Sequence, residues 1–198
     1  MRQQNRKPPG KFNKSLADFI APKASGIKDY LGVFIVTTGL ELDKLVNKYE
    51  AEYDDYSSIM AKALADRLAE AYAEYLHQEV RRKYWSYAKD EQLTHIELIQ
   101  EKYRGIRPAP GYPACPDHTE KQLLFKLLEP ENKIGVTLTE SMAMWPAASV
   151  CGFYYSHPDS EYFVVGKINE DQVKDYAQRK QDDYETMMKW LGSNVGFE

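Results

Sequence analysis

The chain has 198 residues, 43% of them hydrophobic and 28% charged, with a net charge of −4. That length suits one domain or a compact pair, and the composition is that of a soluble globular protein. The acidic balance argues against nucleic acid as the main partner. No apolar run approaches bilayer thickness, and no apolar segment follows the N-terminal basic residues as it would in a signal peptide, so the cytoplasm is the expected compartment and no membrane partner is expected.

Residues 1–14 carry five basic side chains, no acidic ones and a Pro-Pro-Gly, and read as a flexible basic tail. The segment 15–23 reads as a short strand ending near Pro22. Val33 to Thr37 are β-branched or aromatic in unbroken succession, a strong strand stopped by Gly39. Leu42, Leu45, Val46 and Tyr49 share one helical face. A longer helix spans about Asp55 to Tyr84. In it Met60, Leu64, Leu68, Tyr72, Leu76 and Val80 recur every four residues, and interleaved alanines favour helix and close packing. Thr94 and Glu97 form a capping box for a helix that runs to Gly105, a left-handed stop. Residues 105–121 then hold Pro108, Pro110, Pro113 and Pro116, which forbids helix interior or central strand. A helix over roughly Thr119 to Leu128 turns Leu123, Leu124, Leu127 and Leu128 inward and ends at Pro130. Three strands follow from Gly135, the last two joined by the turn His157-Pro-Asp-Ser into an antiparallel hairpin. Asn169 and Asp182 are the expected caps of two closing helices. Strands at both ends of a helical block fit an α+β fold, a mostly antiparallel β-sheet packed with long α-helices in a single domain.

Chemistry-bearing patterns are sparse. There is no phosphate-binding glycine loop, HExxH or GxSxG. Four scattered histidines and two cysteines without CxxC spacing give no metal site. Cys115 and Cys151 are expected to be small, buried residues. Asp66 and Glu70 lie four apart and share a helix face; they form either a solvated face or an acidic patch for a cationic ligand. Arg107 opens the proline loop with a planar fork suited to a carboxylate. Ala109 and Gly111 leave backbone uncovered, and Tyr112 offers a ring to stack on. The loop is either a rigid connection or a cradle for a ligand with an amino-acid end and a flat heterocycle.

Arg107, Gly111 and Tyr112 form an R-x-x-x-G-Y motif that resembles the S-adenosylmethionine-binding activation domain of cobalamin-dependent methionine synthase. The likeness extends from about Leu16 to the C-terminus through DYLGVFIVTTG, LTESMAMWP and YYSHPDSEYF. In that family the domain reactivates a methyltransferase that moves a methyl group from methyltetrahydrofolate to homocysteine. It presents S-adenosylmethionine to cobalamin on a partner domain, while flavodoxin or a flavoprotein reductase supplies the electron. The methyl passes from sulfur to cobalt, so no protein general base is needed and no catalytic residue is expected.

The resemblance implies that Arg107 holds the methionine carboxylate. Ala109, Gly111 and Tyr112 would line the ligand, Glu101 and Glu70 would lie near its polar and cationic parts, and Tyr162 and Phe163 would close the site from the second hairpin strand. Asp66 would face the cobalamin domain. The family's domain starts upstream of this chain with an Asp that binds the ligand's amino group, which implies an N-terminally truncated domain over 15–198. The isolated chain is then expected not to be active alone. The rival expectation is a non-binding fragment that docks on the cobalamin domain or on its own missing half.

Overall fold

The structure is a computed structural model and describes residues 1–197. It is α+β, as expected, with seven α-helices and four short strands among the described residues. The chain weaves between two compact units. One comprises Met1–Gly32, Arg104–Glu120 and Phe153 onward; the other comprises Val33–Tyr103 and Lys121–Gly152. The chain therefore passes from one to the other four times.

The second unit contains most of β1 (Gly32–Thr37) and most of β4 (Ser149–Tyr154), which are hydrogen-bonded neighbours. α1 (Leu42–Ala51) packs on α2 (Asp55–Glu79). Asp54 caps α2 by accepting from the Ser57 amide. The face that α2 buries is not its row of large side chains. Ala69 and Ala73 are 1% and 0% exposed, and Ala65 is buried with them. Leu64, Leu68 and Tyr72 are 56%, 60% and 46% exposed. At about 100° per residue, the alanines and the leucines lie on separate faces. Small side chains win the interior because they let neighbouring backbone approach: the Thr38 hydroxyl donates to the Ala65 carbonyl at 2.7 Å. Glu50 of α1 meets Ser58 and Lys62 on the same side.

α2 runs directly into a single π-helical stretch, Val80–Tyr84. This turn aims Arg81 inward. Its guanidinium is fully buried, pairs with Glu91 at 2.8 Å and stands 4.3 Å from the Tyr103 ring centroid. His77 packs edge-on against the same ring. α3 (His95–Ile99) has the expected Thr94–Glu97 capping box but ends at Gln100. Glu101, not Gly105, takes the left-handed conformation that follows this helix, although Gly105 is left-handed as well.

α4 (Glu120–Leu128) opens beside Asp117 and buries only Leu124 of the four leucines expected inward; Leu123 and Leu127 face solvent. Pro130 does not end α4. It opens α5 (Pro130–Ile134) at a position where proline's missing donor costs nothing, after Glu129 turns the chain. β2 (Thr137–Leu138) and β3 (Met144–Trp145) form a small antiparallel hairpin. The sheet content is thus two two-stranded pieces.

In the first unit, Leu16–Phe19 form a 3-10 turn rather than a strand. Ser15 and Asp18 build a capping box there that outcompetes extension. Gln3 and Lys14 are hydrogen-bonded, and Gln3 also donates to the Val164 carbonyl. The turn His157–Ser160 forms as expected, but no strand follows it. The expected hairpin is absent because the second limb finds other partners. The Val165 amide donates to Pro113 of the proline loop, and Ile168 bridges to Val195. α6 (Glu170–Lys180) and α7 (Tyr184–Leu191) enclose a core of Val165, Ile168, Val173, Met187 and Leu191. Asn169 stands at the cap position of α6 without a side-chain capping bond. Asp183, not Asp182, caps α7.

Candidate functional site

The proline loop is folded, not merely extended. Ile106 and Tyr155 exchange two backbone hydrogen bonds of 3.0 Å, and the Phe153 amide donates to Pro108 at 2.9 Å. Those bonds lay the start of the loop along the continuation of β4. The tip then closes on itself. The Gly111 amide donates to Cys115, the Cys115 amide to Tyr112, and the Tyr112 amide to Ala109. Proline at 108, 110, 113 and 116 removes donors that this pattern does not use and narrows the backbone freedom that folding must remove.

Gly111 has φ of +92°. A Cβ there would stand 2.2 Å from Cε1 and 2.5 Å from Nδ1 of His118. The imidazole therefore occupies the space that any side chain at 111 would need. Sequence reading assigned this glycine to the ligand's approach; the structure adds a packing reason that only the distance from 111 to 118 in space could reveal.

Arg107 is half-buried, and its amide donates to the Tyr162 hydroxyl at 3.0 Å. This contact brings together two of the expected site residues that lie far apart in sequence. Tyr112 projects from the tip, 60% exposed. Phe163 packs its ring against Phe19 at 6.4 Å and against the α6–α7 core. Tyr162 and Phe163 thus sit on irregular backbone, not on a hairpin strand. The expected residues 107, 109, 111, 112, 162 and 163 all belong to the first unit.

Glu70, Glu101 and Asp66 belong to the second unit. Asp66 and Glu70 are exposed on α2, on a face distinct from both the alanine row and the leucine row. Glu101 is exposed in its left-handed turn. Tyr103, two residues on, is locked under Arg81, so the backbone that carries Glu101 is anchored from the end of α2.

Behind the loop lies a polar cluster that sequence reading missed. Asp117 is fully buried and accepts from the Thr119 amide and hydroxyl, from the Tyr176 hydroxyl at 2.7 Å and from Lys180 Nζ at 2.7 Å. Lys180 also pairs with Glu120 at 3.0 Å. Burial pushes the Asp117 carboxyl up, but hydrogen bonds from Lys180, Tyr176 and Thr119 outweigh it and hold the group below the ordinary carboxylate value. Burial likewise lowers Lys180, and its two carboxylate partners reverse that and hold it above the usual ammonium value. Burial pushes the Cys115 thiol up to about 12 and that of Cys151 to about 11. The only sequence signals for the cluster were an Asp-x-Thr turn and a lysine late in α6, neither specific.

Among the described residues no group of histidines, cysteines and carboxylates could hold a metal ion, and no helix is long and apolar enough to cross a membrane. A polar surface pocket lined by Gln4, Asn5, Lys167 and Asn169 contains none of the expected site residues.

The architecture and the loop have a close counterpart. Residues 1–181 match the family of the vitamin B12 dependent methionine synthase activation domain. This chain belongs to that family. A crystal structure of the MetH reactivation domain bound to AdoHcy superposes with a TM-score of 0.96 at 58% identity. The match covers 100% of this activation-domain chain and 60% of the solved one. The chain thus spans about three-fifths of the length of that relative.

Proposed function

We propose that this chain binds S-adenosylmethionine on its proline loop and presents the sulfonium methyl to cobalamin held by a partner domain of methionine synthase. The observation that carries the reading is the Arg107–Tyr162 contact, which joins the R-x-x-x-G-Y motif to the aromatic pair in a chain whose solved relative holds AdoHcy. AdoHcy is what S-adenosylmethionine becomes once its methyl has left.

The residues present fit such a ligand. Arg107 offers its guanidinium fork to the methionine carboxylate, with its backbone fixed by Tyr162. The turn uses the Gly111 amide and the Ala109 carbonyl, so the reading assigns the ligand to the Ala109 amide and the Gly111 carbonyl. Tyr112, largely exposed, supplies a flat face. Phe163 keeps the aromatic body of the second closing residue. Asp66, exposed on α2, is assigned to the face that meets the cobalamin domain.

The chemistry asks little of these side chains beyond placement. Cobalamin, when the partner domain brings it, supplies the nucleophile. The methyl would pass to that nucleophile with the carbon–sulfur electron pair left on sulfur, so no proton need move. The work of this chain is to orient the sulfonium and leave its methyl uncovered. Flavodoxin or a flavoprotein reductase is the proposed electron source, and the parent activity is methyl transfer from methyltetrahydrofolate to homocysteine.

Titration calorimetry with S-adenosylmethionine tests the reading. Arg107→Ala is expected to weaken binding about 10- to 100-fold, the scale of hydrogen bonds to a charged group. Absence of any heat at millimolar ligand would sink it.

One observation favours a second reading. Leu64, Leu68 and Tyr72 stand open on α2. A docking module that needs a further polypeptide before it binds ligand would show this feature. Under that reading, calorimetry is silent until the partner polypeptide is supplied in trans.

A further inference from the structure

We propose that His118 is a positioning residue for the methyl-donor loop. Its imidazole is the stop against which the Gly111–Tyr112 turn sits, and the buried Asp117 cluster holds that stop in place. The proposal rests on the ligand-binding reading above for its consequence, but not for its geometry.

Three observations in the first unit carry it. The first is the fit of ring to backbone. Cε1, Nδ1 and Nε2 of His118 would stand 2.2, 2.5 and 2.7 Å from a Cβ at residue 111. Three ring atoms that close mean the imidazole lies along the Cα of Gly111, not merely near it with one corner. A glycine at φ of +92° has access to conformations on both sides of the map, so it needs an external restraint to stay in one. The ring supplies that restraint by excluded volume.

The second is the closure of the tip. The Gly111 amide to Cys115 carbonyl bond and the Cys115 amide to Tyr112 carbonyl bond are both 2.8 Å. They tie the five-residue tip into one piece, so a stop at Gly111 sets the direction of the Tyr112 ring as well.

The third is what holds the stop. His118 lies between Asp117 and Thr119, and these two are hydrogen-bonded to each other through both the Thr119 amide and its hydroxyl. Asp117 is then fixed to α6 by Tyr176 and Lys180, each at 2.7 Å. Lys180 also reaches the Thr119 hydroxyl at 2.5 Å. The backbone on either side of the imidazole is therefore pinned by a charged, buried network. The path runs from α6 through Asp117 and His118 to Gly111 and the ligand-facing loop.

The test uses the full chain with two readouts: amide hydrogen exchange by NMR, and calorimetric titration with AdoHcy. His118→Ala is expected to speed exchange at Gly111 and Cys115 at least tenfold, leave the Val173 and Ala177 amides of α6 unchanged, and weaken AdoHcy at least tenfold. His118→Phe keeps a flat ring and is expected to hold exchange at Gly111 and Cys115 slower than His118→Ala does, and to bind AdoHcy more tightly than His118→Ala. Gly111→Ala is expected to abolish detectable binding, because a methyl there meets the His118 ring and a φ of +92° disfavours any side chain. Lys180→Met is expected to move exchange at Gly111 in the same direction as His118→Ala, by a smaller factor. Unchanged exchange at Gly111 and Cys115 in His118→Ala overturns the proposal. So does a His118→Phe variant that keeps slow exchange but loses AdoHcy, because His118 would then act on the ligand through its nitrogens. If the parent chain fails to bind AdoHcy, the functional reading fails, while the exchange data still decide whether His118 sets the turn.

Discussion

The proline loop is irregular backbone made rigid, whereas α2 is regular backbone with one large face left open. In the loop, four prolines, a closed tip and a buried ion pair leave little freedom, and the candidate side chains Arg107 and Tyr112 project from a fixed base. In α2 the helix itself is the fixed base. Its interior contact centres on a row of alanines, flanked by Ser58 and His77, while Leu64, Leu68, its tyrosines, Asp66 and Glu70 face outward. Rigidity in the first case comes from specific polar partners and in the second from the repeating helix ladder. Substitutions should therefore cost most where a polar partner is buried and least where the helix presents a large apolar side chain.

Four substitutions break or sharpen that contrast. The largest effect is expected just past the end of α2, where the chain uses a buried ion pair. Glu91→Ala strands the fully buried Arg81 guanidinium and should cost about 3–5 kcal/mol in chemical denaturation. Lys180→Met comes next. It leaves Asp117 buried without its cation, but Lys180 is 21% exposed and water can partly compensate, so about 2–3 kcal/mol is expected.

The same variant has a pH signature. Asp117 titrates below its ordinary value in the fold, so its contribution is present above about pH 4 and is lost as pH falls through the lower folded value. Lys180 titrates above its ordinary value, so its contribution is present below about pH 10 and is lost as pH rises through the higher folded value. Between those limits the pair's contribution is flat. Lys180→Met should shrink the loss of stability at both extremes, read as midpoints of urea unfolding against pH.

The third expectation inverts the usual rule about leucine and alanine. Ala73→Leu adds volume to a position with no exposed surface and should cost about 1–3 kcal/mol. Leu68→Ala on the open face should change stability by less than about 0.5 kcal/mol in this chain. A large loss in Leu68→Ala would mean that the open face is covered in solution. The smallest effect is chemical. With thiols raised to about 12 and about 11, Cys115 and Cys151 should react with iodoacetamide at pH 8 far more slowly in the native chain than in urea.

What sequence revealed divides along the same line. Local signals were legible: the β1 run, the long helix, the Thr94–Glu97 box and the loop's punctuation all stand where composition put them. The R-x-x-x-G-Y motif was legible because several unusual residue types fall close together. What was not legible depended on partners distant in sequence. The four-residue spacing of Met60 to Val80 is a valid helix signal, but periodicity cannot tell which of two apolar faces a helix buries when one of them is alanine. The second limb of the expected hairpin has strand-like residues, Tyr162 to Val165, yet bonds to Pro113 because the loop presents a carbonyl there. Pro130 reads as a stop in sequence but is a start in the fold, since a proline at the first helical position and one after the last look alike without the turn at Glu129. The Asp117–Tyr176–Lys180 cluster joins residues about 60 apart, beyond any local pattern.

The weaving of the chain has a practical side for anyone who would dissect it genetically. The unit with the proline loop is encoded in three separated stretches and the unit with α2 in two. Neither can be cut out as one continuous reading frame. A free-standing version of the loop unit would need two artificial joins, and one of the α2 unit a single join at the gap between Tyr103 and Lys121. Trimming from either end always erodes the loop unit first. Deletion mapping would therefore report loss of the loop unit's fold from trimming at either side of this sequence, even where the residues removed lie far from the loop.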